Sequence, residues 1–141
     1  MFVDASVIIA ILTEEKDAEG YAQILDTNRE FANVTSVLAS WEATVGLFRK
    51  TGKSMDEAKA IVQDFLEIAG IIVLSIGAEE EALALDVFQR NGRHRFGEGE
   101  RNLALNMADC FHYAVAKLNK VPILTMDIGF EAADVQVVRI A

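Results

Sequence analysis

The sequence predicts an α/β fold, a single domain whose mostly parallel central sheet is flanked by helices in an α/β/α sandwich. Three observations point there. Short apolar segments alternate with segments of helical period along the whole chain. Those at 71–74 and 121–124 are continuously apolar, as strands covered on both faces are. With 141 residues, 52% hydrophobic and 25% charged, the chain can bury one sizeable core. No Pro/Gly/Ser linker, repeat or low-complexity tract divides it, so residues 1–141 are expected to form one domain.

The elements come in a regular order. Phe2 and Val3 are apolar and lead at once into Asp4 and the helix-like run 6–12, which reads as strand, turn, helix. Residues 16–25 continue as a polar-faced helix, and 30–34 read as a second strand closed by Thr35 and Ser36. Ser36 is placed to cap the next helix. Over 37–50, Val37, Leu38, Trp41, Val45 and Phe48 recur at three- and four-residue steps, an amphipathic helix ending at Gly52. Ser54 and Glu57 form a capping box for another helix, whose stripe Ala58, Ile61, Phe65, Ile68 stops at Gly70. Residues 71–74 read as a strand buried on both faces. A helix over 78–90, a polar loop over 91–101 and a helix over 105–119 come next. The apolar run 121–124, whose proline suits a strand start, and a last run over 135–140 complete the order.

Composition narrows the classes. A core this apolar excludes disorder, and a single cysteine, Cys110, excludes a disulfide scaffold and forms no CxxC pair. A reducing, cytoplasmic setting is expected. The longest apolar stretch, 7–12, falls short of the ~18 to 20 residues of a membrane span, and no basic segment precedes it. The 22 acids against 13 bases leave a formal charge of −9. At first reading that argues against nucleic acid, whose phosphates are normally met by a surplus of Lys and Arg.

The acids themselves carry the chemistry. Asp4 and Asp127 each stand just after a predicted strand, and in open parallel sheets ligands bind beyond those carboxyl ends. Each could instead merely cap the segment after it. Glu42 sits at the edge of an apolar helical stripe between Leu38 and Val45, where an unpaired charge is costly, so it needs a partner or a route to solvent. Asp109 lies beside Met107, Cys110, Phe111, Ala114 and Leu118, and taken alone reads first as an ordinary solvated helical acid. Carboxylates converging from separate segments repel one another, and a divalent cation resolves the conflict. Oxygen ligands without a His/Cys cluster favour Mg²⁺ or Mn²⁺ over zinc. Such an ion can activate water against a phosphodiester. His94 and His112 lack partners at ligand spacing and read as structural or substrate-facing.

Three blocks, FVDASVIIAIL, VTSVLASWEATVGLFRK and LALNMADCFHYAVAKLNKVPILTMDIGF with ADV after it, resemble the PIN-domain ribonucleases of the VapC toxin type in the right order over the whole chain. The LNxxDCxxYAxAK pattern at 105–117 is the most specific part. The resemblance implies a Mg²⁺- or Mn²⁺-dependent endoribonuclease, restrained by a cognate VapB-like antitoxin and paired as a homodimer. It assigns the metal and catalytic acids to Asp4, Glu42, Asp109 and Asp127, with Ser6 and Thr125 in support. Asp4 and Asp109 would be the main ligands, and water attack would leave a 5′-phosphate and a 3′-hydroxyl. Ala108 stands where many relatives have glycine, and relatives differ in where the fourth acid lies, which makes Asp127 the least secure of the four.

Arg90, Arg93, Arg95 and Arg101 place four of the 13 bases within twelve residues and are the candidate RNA contacts, with His94 among them. The same loop could face solvent or the antitoxin, and Arg49, Lys50 and Lys53 share that ambiguity. Leu12, Trp41, Leu47 and Phe48 are candidates for antitoxin or dimer surfaces, with core packing the alternative. The competing functions are a PIN-like RNA-processing nuclease without an antitoxin and an inactive PIN-like binding module. A receiver domain would need paired acids after the first strand, and a haloacid-dehalogenase-type phosphatase a second Asp where Ser6 stands.

Overall fold

The computed structural model describes residues 1–140, and among these the elements run β1 (Phe2–Val3), α1 (Ala5–Leu12), α2 (Ala18–Thr27), β2 (Val34–Ser36), α3 (Val37–Thr51), α4 (Met55–Ile68), β3 (Ile72–Leu74), α5 (Ala78–Asn91), α6 (Met107–Asn119), β4 (Ile123–Leu124) and β5 (Val137–Val138). The strands form one all-parallel sheet of order β3-β2-β1-β4-β5. Two residues suffice for the central strand because neighbours cover both its edges and its faces. Phe2 and Ile123 point into a core layer built with Ala84 and Val87 of α5 and Tyr113 and Ala114 of α6. Val3 and Leu124 point the other way, into a layer with Val7, Ile8, Leu47, Val62 and Leu66. The two-residue period of a strand thus divides a continuous apolar run between two cores.

Three expectations need correction. The second strand starts at Val34, because 28–33 is a turn built on Asn28, whose Oδ1 accepts from the N–H of Glu30 and whose Nδ2 donates to Phe31 O and Asn33 Oδ1. β3 is an edge strand with Ile72 and Val73 exposed, so its apolar run is not buried on both faces. The loop over 91–101 contains two short 3₁₀ turns, Arg93–Arg95 and Glu98–Leu103.

The apolar stripes of α3 and α4 also face otherwise than expected. In α3 the core side is Ala39, Ala43 and Leu47, while Val37, Trp41 (62% exposed) and Phe48 look outward. In α4 it is Ala58, Val62 and Leu66, and Ile68 is 87% exposed. Both helices are apolar on two sides. Alanines at 39, 43 and 58 let the buried faces approach their neighbours closely, and Leu47, Val62 and Leu66 fill the core between them, so hydrophobicity alone does not mark the buried face. The terminators are as expected: Ser36 and Ser54 accept from the N–H of Ala39 and Glu57, and Gly52 closes α3 at φ 69°, a left-handed conformation that glycine adopts without strain.

Leu47→Ala is therefore expected to cost about 2–5 kcal/mol. Trp41→Ala, at an exposed site, should stay within about 0.5 kcal/mol. Urea denaturation of the two variants checks the assignment.

Candidate metal centre

From β1 the chain builds outward to β2 and β3, then crosses back to lay β4 and β5 on the other side. Strand order reverses between β1 and β4, and the crevice of such a sheet opens beyond that point. Asp4 stands there. The register of Val3 with Leu124 sets it opposite Thr125.

Asp4 occupies the N-cap position of α1, yet its side chain makes no capping bond. Oδ2 instead accepts from Ser6 Oγ (2.8 Å) and Thr125 Oγ1 (2.7 Å). Each hydroxyl is aimed by a second bond, Ser6 Oγ accepting from Met126 N–H (3.2 Å) and Thr125 Oγ1 from Asp127 N–H (2.9 Å). Their lone pairs are engaged by backbone donors, so their protons turn to Asp4.

Asp109 is the third residue of α6. Asn106 Oδ1 accepts from its N–H (2.9 Å), and its own Oδ2 accepts from Asn106 N–H (3.1 Å), a capping box made of Asn and Asp. A helix N-terminus ordinarily favours a carboxylate. Here burial prevails: with Asp127 and Asp4 adding their fields, and against the lowering effect of the Asn106 bond, it pushes Asp109 up to about 7. It is 7% exposed, not a solvated acid.

Asp127 accepts from Gly129 N–H through Oδ1 (2.8 Å), and a Cβ at Gly129 would lie 3.2 Å from that oxygen, so glycine there preserves the approach. Glu42 projects from α3 half-buried. One turn further on, Gly46 leaves room for the Ile9 side chain of α1, which a Cβ there would meet.

His112 enters the site: it is a buried, structural residue, as one reading of the sequence has it, but it does not face substrate and it has partners at ligand distance in Glu42 and Asp4. It is fully buried, with Nε2 2.6 Å from Glu42 Oε1 and 3.6 Å from Asp4 Oδ1. Burial opposes its protonation, but the Glu42 bond and the fields of Asp4 and Asp109 outweigh it and shift the imidazole upward. The signal available in the sequence is its i+3 spacing from Asp109, which sets both on one helix face.

Atoms of Asp4, Glu42 and His112 suited to a metal all lie within 4.8 Å of one another. Among the described residues no Lys or Arg pairs with any of the four acids, and each keeps one oxygen free of hydrogen bonds. Carboxylates that keep free oxygens and have no lysine or arginine partner, with only His112 beside them, fit a hard divalent cation. Cys110, one position on from Asp109, is pushed up to about 11 by burial and offers no thiolate.

Of the basic candidates, Arg90 is held by Asp86 (3.0 Å), Tyr113 Oη (3.2 Å) and Asp134 (3.6 Å). Arg93, Arg95 and Arg101 are exposed, and the Glu98–Leu103 turn packs on the Gly129–Ala132 turn just after Asp127. His94 packs at a tilt against Phe88, with ring centroids 5.1 Å apart, and touches Gln89 O, a local contact. Leu47 is 2% exposed and belongs to the core, not to a partner surface.

Residues 1–136 match the profile of the PIN domain. The chain is 29% identical to a ribonuclease VapC of Mycolicibacterium smegmatis, covering 99% of this chain and all of that one. It is 30% identical to a VapC ribonuclease of Rhizobium meliloti, over 94% of this chain and 97% of that one. Among solved structures, the Mycobacterium tuberculosis VapC20 toxin, described as cleaving the sarcin-ricin loop, superposes with TM-score 0.74 at 19% identity over 99% and 98% of the chains. A chain of a toxin-antitoxin complex from Klebsiella pneumoniae superposes with TM-score 0.67 at 16% identity, over 97% and 94%.

The raised Asp109 has a thermodynamic consequence. The folded state holds this proton more tightly than the unfolded chain, where Asp titrates near 3.8. The resulting stability is full below about pH 4 and is lost as pH rises through about 7. His112, also shifted upward, adds a loss of the same sign. In chelator, the melting temperature should fall from about pH 4 to about pH 7 as Asp109 ionises, with the His112 contribution lost beyond its ordinary 6.5. Asp109→Asn should flatten that slope, and Mn²⁺ should restore stability at about pH 8, all readable by calorimetry.

Proposed function

The chain belongs to the PIN-domain family, as a ribonuclease of the VapC toxin type, and from that premise we propose that Asp4, Glu42, Asp109 and Asp127 hold the divalent cation of its endoribonuclease site. The observation that carries this reading is the end of β1, where Asp4 keeps Oδ1 free while two hydroxyls hold Oδ2, beside an Asp109 pushed up to about 7. Mg²⁺ or Mn²⁺ bound there supplies Lewis acidity at the phosphate and lowers the pKa of a coordinated water.

The protein's own groups do the rest. Ser6 and Thr125 fix the plane of the Asp4 carboxylate, so its free oxygen stays on the crevice side. Asn106 does the same for Asp109. Glu42 and Asp127, less buried, are the acids placed to accept a proton from the attacking water, either directly or through a second water. No serine, cysteine or histidine is required as a covalent nucleophile. Attack by water leaves a 5′-phosphate and a 3′-hydroxyl, with no part for the ribose 2′-OH. Arg93, Arg95 and Arg101 are the bases left to meet RNA phosphates, since Arg90 is engaged with acids of α5 and the C-terminal segment.

The partner is an antitoxin, as in the toxin-antitoxin complex from Klebsiella pneumoniae that shares this fold. Trp41, Phe48 and Leu12, exposed or half-buried on α3 and α1, are surfaces for that antitoxin or for a second copy in a homodimer. No helix among the described residues is long and apolar enough to cross a membrane, and a cytoplasmic site of action is part of the same reading.

Asp4→Asn and Asp109→Asn should each lower Mn²⁺-dependent RNA cleavage about 100-fold or more without unfolding the chain. Wild-type rates in either variant would overturn the assignment, and 2′,3′-cyclic phosphate ends would overturn the water attack. Arg93→Ala with Arg95→Ala should weaken RNA binding and lower the salt slope by about 1.4, in line with two phosphate contacts on a single strand. Filter binding across a salt series measures it.

A further inference from the structure

Resting on the metal-centre reading above, we propose that His112 is a positioning residue of that centre, donating from Nε2–H to Glu42 and thereby fixing which Glu42 oxygen faces the cation. The two ring nitrogens decide between this role and that of a ligand. Nε2 lies 2.6 Å from Glu42 Oε1, whereas the buried Nδ1 has no hydrogen-bond partner. A histidine that binds metal through one nitrogen characteristically donates the other N–H to a carboxylate, carbonyl or water. In the neutral ring, an Nδ1–H would be a buried donor without an acceptor, the costlier tautomer. A bare Nδ1 lone pair is tolerated more easily, and it leaves the proton on Nε2, facing Glu42.

The surroundings hold the ring in that pose. His112 is fully buried, and Phe2 of β1 packs against it with ring centroids 5.1 Å apart. Asp109, one turn earlier on the same face of α6, is itself a proposed ligand. One helix therefore delivers an acid and, through His112, orients a second acid carried by α3. Glu42 makes no other side-chain hydrogen bond among the described residues, so this contact is what sets its rotamer. Oε1 is occupied, and Oε2 remains for the cation or its water.

The test compares His112→Leu, which removes the donor at similar volume, with His112→Gln, whose amide nitrogen reaches the place of Nε2. Each is made in the wild-type and Glu42→Gln backgrounds, with thermal melts to establish folding. Mn²⁺ binding is measured by calorimetry in parallel with RNA cleavage. The expected result is a loss of Mn²⁺ affinity of about 10- to 100-fold in His112→Leu, substantially recovered in His112→Gln and nearly absent once Glu42 is Gln. An unchanged affinity in His112→Leu, or a loss that persists undiminished in the Glu42→Gln background, overturns the proposal. So does a nitrogen coupling to bound Mn²⁺ in wild-type spin-echo spectra that His112→Gln lacks, because His112 would then be a ligand. Failure of the wild type to bind Mn²⁺ would overturn the metal-centre reading itself, a result distinct from these.

Discussion

Two buried carboxylates that feel each other's field, Asp4 at the end of the central strand and Asp109 in the first turn of α6, are the constraint on which the rest of this structure depends. Asp4 and Asp109 come from opposite ends of the sequence, and both are nearly sealed from bulk water. Neither is neutralised by a lysine or arginine among the described residues, and Asp109 bears the conflict as a carboxyl group pushed up to about 7. A fold selected for stability alone would place an apolar pair there. Holding unneutralised acids at the one crevice that the sheet topology creates makes sense when a cation completes the site.

The scaffold serves that arrangement. An all-parallel sheet with a switch point between β1 and β4 places Asp4 and Thr125 opposite each other and delivers Asp127 two residues later. Hydroxyls, a capping box and a turn glycine each take one oxygen of an acid and leave the other free. Gly46 leaves room for Ile9 where α3 packs on α1, and α3 brings Glu42 to Asp4 and His112. His112 ties that acid to the helix that carries Asp109.

Much of this is legible in the amino-acid order, for identifiable reasons. Asp4 and Asp127 stand out because strand ends are readable from short apolar runs, and parallel sheets bind ligands there. The stripes of α3 and α4 mislead because hydrophobicity does not separate a face that packs closely, Ala39, Ala43 and Leu47, from one that looks outward through Val37, Trp41 and Phe48. β3 reads as a covered strand because an apolar edge and an apolar centre look alike in sequence. His112 escapes because its partner, Glu42, is 70 residues away, and no local spacing encodes a contact between two helices.

The formal charge of −9 acquires a different meaning once it is mapped. Part of it is concentrated where a cation would cancel it and phosphate would approach, while Arg93, Arg95 and Arg101 remain exposed near the turn beyond Asp127. An acidic chain can then engage RNA through a metal and a few local bases against an unfavourable overall field. A cation shared by Asp4 and Asp109 would be seen by anomalous diffraction from crystals grown with Mn²⁺. A manganese peak is expected within coordination distance of both acids beyond the end of β1. Manganese absent from that crevice, or bound only elsewhere, would contradict it.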